Sequence, residues 1–151
     1  MTETQHRILW LDDDADVIGI MTRPLEREGH RVEKVDKCED AIRSLDDSVY
    51  DAIILDIILP RDRWTRQFGT EHECAYYGID VLRYIRRSGS MNYGTPVVVY
   101  SALDEMNIRP FLDSNSSLAV SAVLQKPIRP SDLKKKIETI IRDANKAVYH
   151  I

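Results

Sequence analysis

Residues 52–60 read Ala-Ile-Ile-Leu-Asp-Ile-Ile-Leu-Pro, and this stretch decides the fold. Ala52 to Leu55 is a continuous apolar run, the pattern of a strand covered on both faces and so of a parallel sheet. Asp56 then stands at its carboxyl end. Working outward, Ile8 to Leu11 is a similar run that opens into Asp12, Asp13 and Asp14. Pro96 to Tyr100 is another, followed by Ser101, and Ala119 to Leu124 precedes Lys126. Arg31 to Val35 reads as a more polar strand.

Helical patterns separate these runs. Asp14 is placed to cap a helix with Val17, Met21 and Leu25 on one face, which stops at Glu28-Gly29 and kinks at Pro24. A short helix is expected from Glu39 to Leu45, and another from Gly78 to Arg87 with Ile79, Leu82 and Ile85 in register. From Ser131 onward, Leu133, Ile137, Ile140, Ile141, Ala144 and Val148 line one face of a long helix. Lys134, Lys135, Arg142 and Lys146 read as its solvated face. Leu103 to Leu118 is interrupted by Pro110 and carries no clear period. Strand alternating with helix predicts an α/β fold with a doubly wound, five-stranded parallel sheet.

Composition narrows the function. The chain has 151 residues, a length that fits one domain able to bury its own core. Its 21 Lys and Arg against 25 Asp and Glu give a net charge of −4, which gives no support to direct nucleic-acid binding. Cys38 and Cys74 lie far apart without a paired-ligand spacing, against a disulfide scaffold or a zinc ribbon. Met1 to Arg7 is polar and unlike a signal peptide. The apolar stretches Ile53 to Leu55 and Ile57 to Leu59 are too short to span a bilayer. A cytoplasmic protein is expected. Glu71-His72-Glu73-Cys74 is not read as a metal site, because neighbours in an extended loop point apart and no second ligand cluster accompanies them.

In open parallel sheets, functional side chains gather beyond the carboxyl ends of the strands. Asp12, Asp13, Asp56, Ser101 and Lys126 all stand at such ends. Clustered carboxylates repel one another and need a cation, and an all-oxygen set suits a hard ion such as Mg²⁺. With a nearby ammonium and hydroxyl, the set fits the charge of a phosphoryl group.

At these residues the chain resembles the receiver domain of two-component response regulators. The matching segments are Ile8-Leu-Trp-Leu-Asp-Asp-Asp14, Ile53-Ile-Leu-Asp-Ile-Ile-Leu-Pro60, Val97-Val-Val-Tyr-Ser-Ala102 and Leu124-Gln-Lys-Pro127, in the family's order and spanning nearly the whole chain. The resemblance implies a flavodoxin-like sheet of strand order 2-1-3-4-5. It implies that Asp56 is the phosphoacceptor, served by a sensor histidine kinase or a histidine phosphotransfer protein. Asp13, Asp56 and the main-chain carbonyl of Ile58 would bind Mg²⁺ directly, with Asp12 acting through water. Ser101 would contact a phosphoryl oxygen. Lys126 would pair first with Asp56 and then with the phosphoryl group, and its bond to Pro127 is expected to be cis. Such a protein catalyses only its own phosphoryl transfer and slow autodephosphorylation, and passes the signal to an effector protein. Residues 1–151 are expected to be a single receiver with no output domain, and homodimerisation through the family's last two helices is a further expectation.

Departures from the family pattern are specific. Gly78, which should follow Pro60 after a few residues, lies 18 positions beyond it. The inserted stretch, about 61–77, carries Arg61, Arg63, Trp64, Arg66, Phe68, Tyr76 and Tyr77, a composition suited to a lid or a docking loop. Val123 stands where the family tends to place an aromatic ring that couples phosphorylation to output. Ile58 and Leu103 occupy the positions that help set dephosphorylation, and neither side chain can orient a water, so a long-lived phospho-Asp56 is expected. Two other readings exist. One is a receiver-like module that binds partners without phosphorylation. The other is a haloacid-dehalogenase-type, Mg²⁺-dependent phosphatase built on Asp12-Asp13-Asp14 or Asp14-Ala15-Asp16, which would be labelled on Asp12 or Asp14 rather than Asp56.

Overall fold

The computed structural model describes residues 4–71, 75–113 and 118–149, with side chains described as far as Lys146. The elements run β1 (Arg7–Leu11), α1 (Ala15–Met21), α2 (Arg23–Arg27), β2 (Arg31–Val35), α3 (Cys38–Asp47), β3 (Ala52–Leu55), α4 (Arg63–Phe68), α5 (Gly78–Ile85), β4 (Val97–Ser101), α6 (Glu105–Asp113), β5 (Ala122–Gln125) and α7 (Pro130–Tyr149). Among the described residues the strands form one five-stranded sheet in the order β2-β1-β3-β4-β5. Every pairing is parallel. The expected topology is the observed one.

Strand periodicity divides the core in two. Leu9, Leu11, Ile53, Leu55, Val97 and Val99 face one way and pack with α3, α5 and α6. Ile8, Trp10, Ile54, Val98 and Tyr100 face the other way and pack with α1, α2 and α7. All four residues of β3 are buried, which is why the strand is continuously apolar. Each such aliphatic side chain contributes about 1.5–3 kcal/mol on burial. Register then sets the rim: Leu11 pairs with Leu55, so the residues that follow each, Asp12 and Asp56, come out level.

Some local expectations are corrected. The helix capped by Asp14 divides at Thr22, whose hydroxyl donates to the Ile18 carbonyl at 2.6 Å. Pro24 falls at the start of α2, where its missing N–H costs no helical bond, instead of kinking a last turn. Gly29, with φ +90°, makes the expected stop. Leu103–Leu118 does contain a helix, α6, because Ile108 and Leu112 are buried on one side and outweigh Pro110 inside it. The last strand begins at Ala122 rather than Ala119, and Ser121 still donates to the Val97 carbonyl. Val148 on α7 lies among the undescribed side chains.

The insertion is not a structureless loop. Asp62 and Thr65 form a reciprocal capping box at the start of α4: Thr65 N–H donates to Asp62 Oδ1 at 2.9 Å, and Asp62 N–H donates to Thr65 Oγ1 at 2.7 Å. Asp62 Oδ2 also accepts from Glu39 N–H, in the first turn of α3, at 2.8 Å. Trp64 packs edge-on against Tyr84 of α5, ring centroids 5.7 Å apart. The base is closed by Leu59 N–H on the Ala75 carbonyl at 2.9 Å and a parallel bridge from Leu59 to Tyr76. The insertion is thus tied to α3 and α5, and through Tyr76, whose ring meets Phe111 edge-on at 5.5 Å, to α6 as well.

Gly78 opens α5 directly against the backbone of the Asp56 turn. A Cβ there would lie 2.1 Å from the Asp56 carbonyl oxygen and 2.6 Å from Ile57 Cα. Gly78→Ala must displace one of the two backbones, with an expected loss of about 1–3 kcal/mol by analogy with overpacked cores. Thermal unfolding should show a Tm lower by several degrees; an unchanged Tm would mean that the approach is looser than described.

Candidate functional site

Three strand ends and one loop build the site. β1 leads into Asp12, whose N–H donates to the Val35 carbonyl at 3.1 Å and whose Oδ1 accepts from Asp14 N–H at 2.9 Å. Asp14 is turned to other work: its carboxylate caps α1, accepting from Asp16 and Val17 N–H at 3.0 and 3.3 Å. Asp13, between them, is exposed. On the adjacent strand, Asp56 N–H donates to the Leu11 carbonyl at 3.0 Å, and Asp56 Oδ1 accepts from Ile58 N–H at 3.2 Å.

The loop after β5 supplies the cation. Lys126 Nζ donates to Asp12 Oδ2 at 2.7 Å and to Asp56 Oδ2 at 3.0 Å. Its own N–H donates to the Ser101 carbonyl at 2.7 Å, and the Lys126–Pro127 peptide is cis. Ser101 is buried, and its Oγ accepts from Leu103 N–H at 3.3 Å. The residues expected to converge, Asp12, Asp13, Asp56, Ser101 and Lys126, thus share one rim, with Ile58 in the Asp56 turn.

Electrostatics explain why the ammonium is needed. Burial pushes the Asp12 carboxyl above its ordinary range, against hydrogen bonds from Lys126 and Asp14 that pull it down; the neighbouring Asp56 adds to the rise. Burial also disfavours the charged form of Lys126, but its hydrogen bonds to Asp12 and Asp56 outweigh that and raise its affinity for the proton. Asp12, Asp13 and Asp56 can each present an oxygen within 4.8 Å of the others, and among the described residues no other group of this kind occurs. Such an all-oxygen, anionic donor set fits a hard divalent cation. Cys38 is buried and its thiol is pushed up by that burial, so it serves packing. His72, Glu73 and Cys74, expected not to bind metal, lie outside the described residues.

The surrounding side chains match the noted departures. Ile58 is 37% exposed. Leu103 and Val123 are half-buried against the cluster under α3, α5 and α6. One neighbour went unremarked in the sequence: Tyr100, whose ring centroid lies 5.5 Å from Lys126 Nζ and whose hydroxyl accepts from Ile128 N–H at 3.2 Å. Its only signal was an aromatic residue among valines immediately before Ser101.

Comparison with known proteins agrees with this geometry. The family model of the response regulator receiver domain matches residues 8–138. The transcriptional regulatory protein ResD of Bacillus subtilis (strain 168) is 25% identical over 143 residues, 95% of this chain and 51% of its own length. The transcriptional regulatory protein CpxR of Escherichia coli (strain K12) is 29% identical over 139 residues, 91% of this chain and 50% of its own. The chain spans about half the length of these curated relatives. Among solved structures, a CheY-like receiver domain protein from Methanospirillum hungatei JF-1 superposes with a TM-score of 0.76 at 20% identity, covering 95% of this chain and 99% of that one. The signal receiver domain of a putative Luxo repressor protein from Vibrio parahaemolyticus gives 0.75 at 21% identity, covering 98% and 99%. At these identities the structural likeness speaks for the fold. With the family model, it places the chain in the response regulator receiver domain family of two-component systems.

The raised carboxyl of Asp12 makes a stability prediction. Its folded-state pKa lies above its unfolded value, so the ionised form is disfavoured in the fold and stability is lost as pH rises through the folded pKa. In chelator at neutral pH, Asp12→Asn should therefore raise Tm. The advantage should shrink as pH falls into the range where wild-type Asp12 is protonated. A lower Tm for the variant at neutral pH would show that pairing with Lys126 outweighs burial.

Proposed function

We propose that this chain is a phosphorylation-operated signalling switch in which Asp56 takes a phosphoryl group from a phosphohistidine on a sensor kinase or a histidine phosphotransfer protein. The observation that carries this reading is the Lys126 ammonium shared between Asp12 and Asp56, with Ser101 at the same rim. A carboxylate oxygen of Asp56 attacks phosphorus. The phosphorus–nitrogen bond breaks, its electron pair returns to the imidazole nitrogen, and that nitrogen takes up a proton. Lys126 is placed to exchange its bond with Asp56 for one with a phosphoryl oxygen, holding the new negative charge. Ser101, whose Oγ accepts from Leu103 N–H, has its own hydroxyl proton to donate to a second phosphoryl oxygen.

The donor set of Asp12, Asp13 and Asp56, with the Ile58 main-chain carbonyl, fits Mg²⁺. When bound, Mg²⁺ supplies positive charge to the phosphoryl oxygens. The chain's chemistry is then limited to its own modification and slow return, and its output is binding to an effector protein. Curated relatives are named as transcriptional regulators, which is consistent with such an output in the proteins that carry receivers of this kind. The phosphatase reading is disfavoured, because Asp14 is held as the cap of α1 and Asp56, not a second acid of that motif, shares Lys126 with Asp12.

Incubation with acetyl phosphate and Mg²⁺ should add one phosphoryl group, read by intact mass, to the wild type and none to Asp56→Asn. Omitting Mg²⁺ should suppress the reaction. Label on Asp12 or Asp14 would favour the phosphatase, and an unmodified wild type would favour a module that works without phosphorylation. Once formed, phospho-Asp56 should hydrolyse slowly. Ile58→Asn and Leu103→Glu each introduce a polar group able to orient water, and should shorten its lifetime by roughly tenfold. Lifetimes equal to the wild type would refute the role given to these two positions.

A further inference from the structure

Tyr100 meets the loop after β5 at two points. Its hydroxyl accepts from the N–H of Ile128 at 3.2 Å, and its ring centroid lies 5.5 Å from Lys126 Nζ, within reach of a cation–π attraction. The residue is itself firmly packed. It is 3% exposed, sits on a central strand, and meets Trp10 edge-on at 6.3 Å and 87°. The next residue along, Ser101, takes the N–H of Lys126 on its carbonyl. Main-chain and side-chain atoms of two successive β4 residues thus anchor the segment from Lys126 to Ile128, with Pro127 between them.

A lysine has four rotatable bonds and reaches water readily, so something must aim its ammonium at two carboxylates. We propose that Tyr100 is the positioning residue of the site: it sets the direction of Lys126 by holding the Ile128 backbone at one end and attracting the ammonium over its ring at the other. Val123 offers no aromatic ring at the position where the family tends to place one. Tyr100, on the neighbouring strand and facing α1 and α7, ties the state of Lys126 to that opposite face of the sheet. Arrival of a phosphoryl group would draw Lys126 away from Asp56 and strain this anchor, so the displacement is passed toward Ile128 and the start of α7.

The proposal deepens the phosphoacceptor reading and rests on it for one of two tests. In the first, labelling rates with acetyl phosphate and Mg²⁺ are compared for the wild type, Tyr100→Phe, Tyr100→Leu, Lys126→Ala and the two double variants. Loss of the hydroxyl should slow labelling about threefold, and loss of hydroxyl and ring about tenfold. In the Lys126→Ala background both Tyr100 effects should vanish, because the residue acts through the lysine. Effects that multiply in that background would overturn the proposal by making Tyr100 a merely structural residue. The second test needs no phosphorylation: the order parameter of the Lys126 ammonium, measured by ¹⁵N relaxation, should fall in Tyr100→Phe and further in Tyr100→Leu. An ammonium as ordered as in the wild type would also overturn it. If Tyr100→Leu does not fold, Tyr100→Phe, which keeps the packed ring, gives the same decision. Absence of labelling in the wild type would remove the Asp56 reading and leave the ammonium measurement to judge Tyr100.

Discussion

An ammonium held between two nearly buried carboxylates is the interaction on which the working end of this molecule depends. Asp12 and Asp56 are brought side by side by β1 and β3, and neither can lose its water without compensation. Lys126 supplies it from a third direction, the loop beyond β5. The sheet order makes this possible, since residues distant in sequence become neighbours only when β1 lies between β2 and β3. The arrangement leaves more anionic charge than cationic charge at the rim, with Asp13 exposed beside it. A site in that condition suits a hard divalent cation, the premise of the phosphoryl transfer proposed for it.

Much of this was legible in the chain itself, for definite reasons. Buried parallel strands are apolar along their whole length, so β1, β3 and β4 announced themselves, and a residue at the end of such a strand has only one rim to occupy. Asp12, Asp56, Ser101 and Lys126 followed from that geometry. The illegible parts share a different cause: tertiary contacts decided them. α6 forms around two buried residues, Ile108 and Leu112, too few to write a period across Pro110. α4 is one and a half turns long and amphipathic only through Trp64 and Thr65, although its Asp62–Thr65 capping pair was readable in retrospect. Tyr100 looked like any strand aromatic, because nothing in its spacing tells that a loop 26 residues later folds over its hydroxyl.

Stability and function pull against each other at the rim. Burial holds the Asp12 carboxyl above its ordinary range, so the ionised acid is disfavoured in the fold, whereas the proposed cation binding calls for it. The sheet below carries that cost with two apolar layers and a central strand free of polar side chains. A similar tension lies at Gly78, where α5 presses so closely on the Asp56 turn that no side chain can be accommodated.

The closure between Leu59 and residues 75 and 76 also bears on how such proteins diversify. Because the inserted segment leaves and re-enters the domain at a single hydrogen-bonded neck, its length is uncoupled from the register of every strand. Lengthening a loop beyond a fixed neck changes its closure entropy only logarithmically. The neck therefore separates the segment's length from the geometry of the sheet. The cassette beyond it can change in length and surface, next to the acidic rim, without refolding the sheet that positions that rim.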